Sequence, residues 1–165
     1  MSLTKLNNQS LSAVTSAGIP IRTKSVLQVV NTTHGVNQAI TGSTSTEYTG
    51  ITTTITPTVT GSKIYVMVNV ACGNQYNGAE WYEAFLYRDS TSNQIGNRQD
   101  IYFNERYEMI GPQLLFNIFD PLATTAGTAR TYKVYMAGDS GNGNLSVNWS
   151  SNNSQSSMTL MEIAA

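Results

Sequence analysis

Enzymes usually draw their chemistry from histidine, cysteine or paired carboxylates. This chain of 165 residues supplies one histidine, His34, one cysteine, Cys72, and ten acids. His34 lies in the stretch NTTHGVN, read as a loop after the first strand that faces solvent or a neighbour. A tetrahedral zinc site needs several nitrogen or sulfur ligands, and Cys72 is the one other candidate, so no metal site is expected. A lone cysteine also rules out an intrachain disulfide.

The stretch Gly138-Asp139-Ser140-Gly141 spells the tetrapeptide found around the nucleophile of trypsin-like proteases. That chemistry needs a histidine base oriented by a buried aspartate. The chain is too short for the two barrels that build such a site. The flanks YKVYMA and LSVNWS read as strands, which makes GDSGNGN a hairpin loop. Glu80, Glu83, Asp89, Asp100, Glu105 and Glu108 could supply a carboxylate pair for glycoside hydrolysis. Glu80 is expected in a loop and Glu83 in a strand, with no sign that either is buried. The expectation is therefore a non-enzyme without cofactor or metal.

One segment favours binding. Tyr76, Asn77, Trp81 and Tyr82 fall within YNGAEWY, near one loop. Aromatic faces stack on sugar rings and amides bond hydroxyls, so these residues suit a receptor-binding tip. An ordinary subunit contact would look the same, and both readings stay open.

The elements that must carry these residues are strands. Ser25–Asn31, Tyr48–Thr56, Ser62–Ala71, Trp81–Asp89, Ile110–Phe119, Arg130–Ala137, Leu145–Ser150 and Met158–Ile163 are short β-rich runs separated by Gly, Asn and Ser. In Ser62–Ala71, Ile64, Val66, Val68 and Val70 share one face, and Tyr65, Met67 and Asn69 the other. In Trp81–Asp89, Trp81, Glu83, Phe85 and Tyr87 oppose Tyr82, Ala84 and Leu86. Tyr132, Val134 and Met136 fall together. About eight such strands without a helical period predict an all-β, antiparallel β-sandwich of jelly-roll type. A small closed barrel is the alternative. The stretches Cys72–Glu80, Ser90–Asp100 and Gly138–Asn144 are expected as loops at the sandwich ends.

Composition narrows the partners. Charged residues make up 12% of the chain, about half the ~25% of a typical soluble domain. The polar surface is thus Ser, Thr, Asn and Gln, which suits dense packing beside identical copies. Net charge is −1 and the nine cations are scattered, which argues against nucleic acid. No apolar run reaches the ~18 residues of a membrane span. The first residues lack the basic and apolar regions of a signal peptide, so synthesis in a reducing cytoplasm is expected.

Residues 1–24 form a separate unit before the domain at 25–165. Leu3, Leu6, Leu11, Val14, Ile19 and Ile21 are spaced through polar sequence, and Pro20 interrupts the stretch. The plain reading is a disordered tail. The sharper one is an arm that orders against another subunit, with these aliphatics as anchors.

Several stretches carry a resemblance. LTKLNNQSLSAVTSAGIP, GSKIYVMVNVA, TAGTARTYKVYMAG and SSMTLMEIAA resemble short virion proteins of tailed phages of cyanobacteria and other aquatic bacteria. The matching residues include Lys63–Val70, Arg88-Asp89 and Thr159–Ile163. The resemblance implies a tumour-necrosis-factor-like jelly roll assembled as a homotrimer on the virion surface. It implies a capsid decoration (cement), head-fibre or tail-fibre role, with the arm attached to the major capsid protein or another virion protein. A tail-fibre tip binding a host surface glycan is the alternative.

Overall fold

Alternation of buried and exposed side chains organises the whole chain. The computed structural model describes residues 24–41, 44–74, 80–103, 113–138, 144–148 and 154–165. Ten strands are present: β1 (Val26–His34), β2 (Gln38–Thr41), β3 (Thr46–Ile55), β4 (Lys63–Asn74), β5 (Glu80–Arg88), β6 (Gln99–Phe103), β7 (Gln113–Phe119), β8 (Arg130–Gly138), β9 (Asn144–Val147) and β10 (Ser156–Ile163). No helix occurs among the described residues.

The strands form two antiparallel sheets. One has the order β1-β10-β4-β9-β2, with β7 on the other side of β4; the second runs β3-β8-β5-β6. From β3 to β8 the chain changes sheets at every step except the β5–β6 pair. This wrapping is the jelly-roll sandwich expected from the sequence. Ile64, Val66, Val68 and Val70 of β4, Tyr82, Ala84 and Leu86 of β5, and Tyr132, Val134 and Met136 of β8 all enter one core between the sheets.

Several local expectations are corrected. His34 is not in a loop. It ends β1, because Thr32, Thr33 and His34 continue the ladder against Met158, Ser157 and Ser156. The ring is half-buried and meets Tyr48 edge-on, with centroids 5.9 Å apart. It also covers Gly50, where an added Cβ would overlap the imidazole. Glu80 opens β5 rather than lying in a loop, since its backbone pairs with Phe103. Cys72–Asn74 extend β4 by pairing with β9, and Gln99 and Asp100 belong to β6. The segment from Gly138 to Asn144 is not a hairpin, because β8 and β9 lie in different sheets. Residues 139–143 lie outside the described residues.

Charged side chains secure one end of the sandwich. Asp120, fully buried after β7, accepts from Arg88 Nη1 at 2.5 Å, Arg130 Nη1 at 3.2 Å and the Tyr132 hydroxyl at 2.8 Å. Arg130 also donates to the carbonyls of Leu122 and Ala123. One carboxylate thus ties β7 of one sheet to β5 and β8 of the other. Burial, with the Asp120 charge next, raises the Tyr132 hydroxyl well above the ordinary tyrosine range.

Glu162 makes a second cluster. The alternation of β10 turns Ser156, Met158, Leu160 and Glu162 inward, so a carboxylate must enter the sandwich. It accepts from the backbone amides of Thr58 and Val59, both hydroxyls of Thr58 and Ser62, and the Gln28 amide, at 2.7–3.0 Å. Burial alone would raise its pKa. The donors from Thr58, Ser62, Val59 and Gln28 outweigh burial and hold it at about 2.

Neutral groups close the other end. Asn148 Nδ2 donates to the Tyr48 hydroxyl at 2.5 Å and to the His34 carbonyl at 2.8 Å. Its Oδ1 accepts from Ser156 Oγ at 2.7 Å. Nearby, Cys72 is buried and unpaired with any sulfur. Burial pushes its thiol up to about 12.

Candidate functional site

Trp81 and Tyr82 are consecutive on β5, so their side chains leave opposite faces of the sheet. Trp81 points outward and is 51% exposed. Tyr82 points inward, fully buried, with its ring edge-on to Phe103 at 5.6 Å. Tyr82 is therefore a core residue and not part of a binding surface, which corrects the sequence reading. Tyr76 and Asn77 lie outside the described residues, as do Leu3, Leu6, Leu11, Val14, Ile19 and Ile21.

The partner that Trp81 does have is Tyr102, directly across the ladder between β5 and β6. The two rings lie 4.5 Å apart at an angle of 36°. Tyr102 is 43% exposed, so together they form an open aromatic platform. One pair further along the same face, Glu83 stands opposite Asp100. Arg98 joins both: its Nη1 donates to Glu83, its Nε meets Asp100 Oδ1 at 2.8 Å, and its Nη2 donates to Asp100 Oδ2 at 3.2 Å. The Arg98–Asp100 contact is a fork, which fixes the guanidinium plane. Trp81, Glu83, Arg98 and Asp100 line an open cleft of about 270 Å³.

Arg98 and Tyr102 were missed from the sequence, and Asp100 was named there only as one of six possible carboxylates, without its place opposite Glu83. The alternation in Gln99–Phe103, with Ile101 and Phe103 inward and Asp100 and Tyr102 outward, was the signal that could have found them. Beyond Glu83 the same face continues with Phe85, Tyr87 and Tyr135. Phe85 and Tyr87 stack at 6.1 Å, and Tyr87 meets Tyr135 edge-on at 5.2 Å. Glu47 accepts from Tyr135, Lys133 and Thr52 there. Burial opposes its ionisation, but these donors and the Lys133 charge hold its carboxyl below the usual range.

The outer face of the other sheet has a different character. Its side chains form rows across four strands, β1, β10, β4 and β7. Val29, Met161, Tyr65 and Phe119 make one row of large hydrophobic side chains. Asn31, Thr159, Met67 and Asn117 make the next, and Thr33, Ser157, Asn69 and Leu115 the third. None of these twelve carries a charge. Val29 and Phe119 are each 54% exposed. Tyr65 and Phe119 pack at 4.7 Å. The Oδ1 of Asn69 is buried without a hydrogen-bond partner, beside a groove of about 260 Å³ lined by Met67, Asn69, Leu115, Asn117, Ser157 and Thr159.

Among the described residues no group of three or more His, Cys, Asp or Glu could hold a metal ion. No helix among them is long and apolar enough to cross a membrane.

No family model matches the chain, and no curated protein does. Solved structures do show likeness. The Eiger TNF structure from S. frugiperda is 12% identical with a TM-score of 0.38, over 82% of this chain and 93% of that one. The Gx strain of infectious bursal disease virus gives 13% identity and a TM-score of 0.39, over 84% and 37%. The VP2 subviral particle of infectious bursal disease virus gives 15% and 0.36, over 84% and 37%. This chain spans little more than a third of the two viral chains. The jelly-roll assignment rests on the strand order itself.

Proposed function

We propose that this chain is a structural protein of a bacteriophage virion, displayed on the particle surface as a homotrimer. Its role is mechanical, as capsid decoration or a short fibre, without catalysis or cofactor. The observation that carries the reading is the three adjoining uncharged rows on the outer face of the β1-β10-β4-β7 layer. A row of large hydrophobic side chains crossing four strands, exposed in the single chain, is a surface that needs a neighbour. Its lack of charge suits copies of itself around a symmetry axis, where like charges would repel. Burial of Val29, Tyr65, Phe119 and Met161 would stabilise the trimer at roughly 25 cal/mol per Å². The low charge content supports dense display, and the sequence resemblance to phage virion proteins supports the setting. Residues 1–24 then anchor each subunit to the major capsid protein or another virion protein through Leu3, Leu6, Leu11, Val14, Ile19 and Ile21.

Two experiments test this. Sedimentation of the purified chain should give three times its 17.9 kDa mass. Phe119→Glu should weaken association by roughly 100-fold or more, because each copy would bury an unpaired carboxylate. A chain that stays monomeric at micromolar concentration would sink the self-association. Separately, deleting residues 1–24 should leave folding and trimer mass unchanged but abolish incorporation into particles. Normal copy number of the truncated protein on purified virions would refute the anchoring role.

A further inference from the structure

We infer that the cleft beside Trp81 is a saccharide subsite that takes a single neutral pyranose ring. This goes beyond the structural role, and it stands on the opposite outer face of the sandwich. Three features of the cleft point to sugar. First, two exposed aromatic rings in contact, tilted by 36°, form a platform where a compact fold gains nothing by leaving them in water. An aromatic face carries negative quadrupole density, which attracts the electropositive C–H face of a pyranose. Second, the groups at the platform's edge suit hydroxyls. The Glu83 and Asp100 carboxylates accept hydrogen bonds, and the Arg98 guanidinium donates them from a plane already fixed by its fork to Asp100. A pyranose presents adjacent hydroxyls that both donate and accept, and so can use both kinds. Third, the cleft is small and open. Its volume of about 270 Å³ falls just below the usual ~300–1,000 Å³ of ligand pockets, a size for one ring rather than an extended ligand.

Charge selects among sugars. Among the described residues that line it, two carboxylates stand against one guanidinium and leave a charge of −1, so a uronate or other anionic ring meets repulsion. Neutral hexoses and N-acetylhexosamines meet none. A single open subsite binds weakly, with a dissociation constant on the order of 1 mM. Multiple copies on a particle raise the effective affinity for a polysaccharide surface without any further contact.

Tryptophan fluorescence of the full chain reads the site directly. The probes are methyl glucoside, methyl galactoside, methyl mannoside and N-acetylglucosamine, with glucuronate as the anionic counterpart. At least one neutral probe should give a saturable change, and glucuronate should bind roughly tenfold more weakly or not at all. Trp81→Ala should remove the saturable change although Trp149 still fluoresces. Asp100→Asn and Tyr102→Ser, which keep Trp81 as reporter, should each weaken binding by about tenfold. Sedimentation of all three variants should match the parent. No saturable response to any neutral probe would overturn the proposal. So would a response that persists in Trp81→Ala, or equal affinity for glucuronate. A change in oligomeric mass in Trp81→Ala would instead make the platform a subunit contact, leaving the uncharged rows to be judged by Phe119→Glu alone.

Discussion

Replacing Asp120 with alanine should lower folding stability by about 3–5 kcal/mol. The carboxylate is fully buried, and it is the counter-charge for both Arg88 and Arg130. Without it, Arg130 keeps only carbonyl partners at Leu122 and Ala123, and remains 7% exposed. The Tyr132 hydroxyl loses its acceptor as well. The loss comes mainly from Arg130 left buried without a counter-charge, since Arg88 keeps Asp89 at 3.8 Å. Because the cluster joins the two sheets, the damage should appear as a lower urea midpoint with an unchanged m-value, the mark of a global two-state transition. A loss below about 1 kcal/mol would show that both guanidiniums swing out to water when their partner is removed.

Glu162 should make the protein acid-sensitive in a narrow window. Its folded-state pKa of about 2 lies below the ordinary 4.5. The group therefore contributes stability that is fully present above about pH 4.5 and is lost as pH falls toward 2. The contribution is about 3 kcal/mol, at 1.36 kcal/mol for each unit of displacement. Glu162→Gln should be less stable by a similar amount at neutral pH. Its amide NH₂ would face the Thr58 and Val59 N–H donors and the Ser62 hydroxyl, which a carboxylate accepts from on both oxygens. Subtracting the denaturation free energies of variant and parent across pH 2–6 isolates this group from the rest of the chain. A difference that stays constant over that range would refute the assignment.

Much of the fold was legible because alternation is a local signal. In β4 and β8 every second residue is apolar, and those residues form the core. The strands that escaped notice are the ones that bury little. β2 commits only Ile40 to the interior, and β6 begins on two exposed polar residues before Ile101 and Phe103 turn inward. His34 was misread because Gly35 follows it, although its strand is held by β10, more than a hundred positions later. Trp81 was found by residue type, but Tyr82 was grouped with it by proximity along the chain, where a strand sends neighbours apart. The charged clusters at Asp120 and Glu162 could not be read at all. The donors on Glu162 from Thr58 to Ser62 lie about a hundred residues away, and nothing in TLMEI distinguishes an inward carboxylate from an ordinary surface one.

The buried thiol of Cys72 has a consequence for durability. Thiolate is the species that is oxidised, alkylated or exchanged into disulfides. With its pKa near 12 and its sulfur against the Val70 carbonyl, the side chain presents almost none at any ordinary pH. Two copies of the folded chain therefore have no route to covalent cross-linking through it. The folded subunit can pass from reducing to oxidising surroundings with its redox chemistry silent.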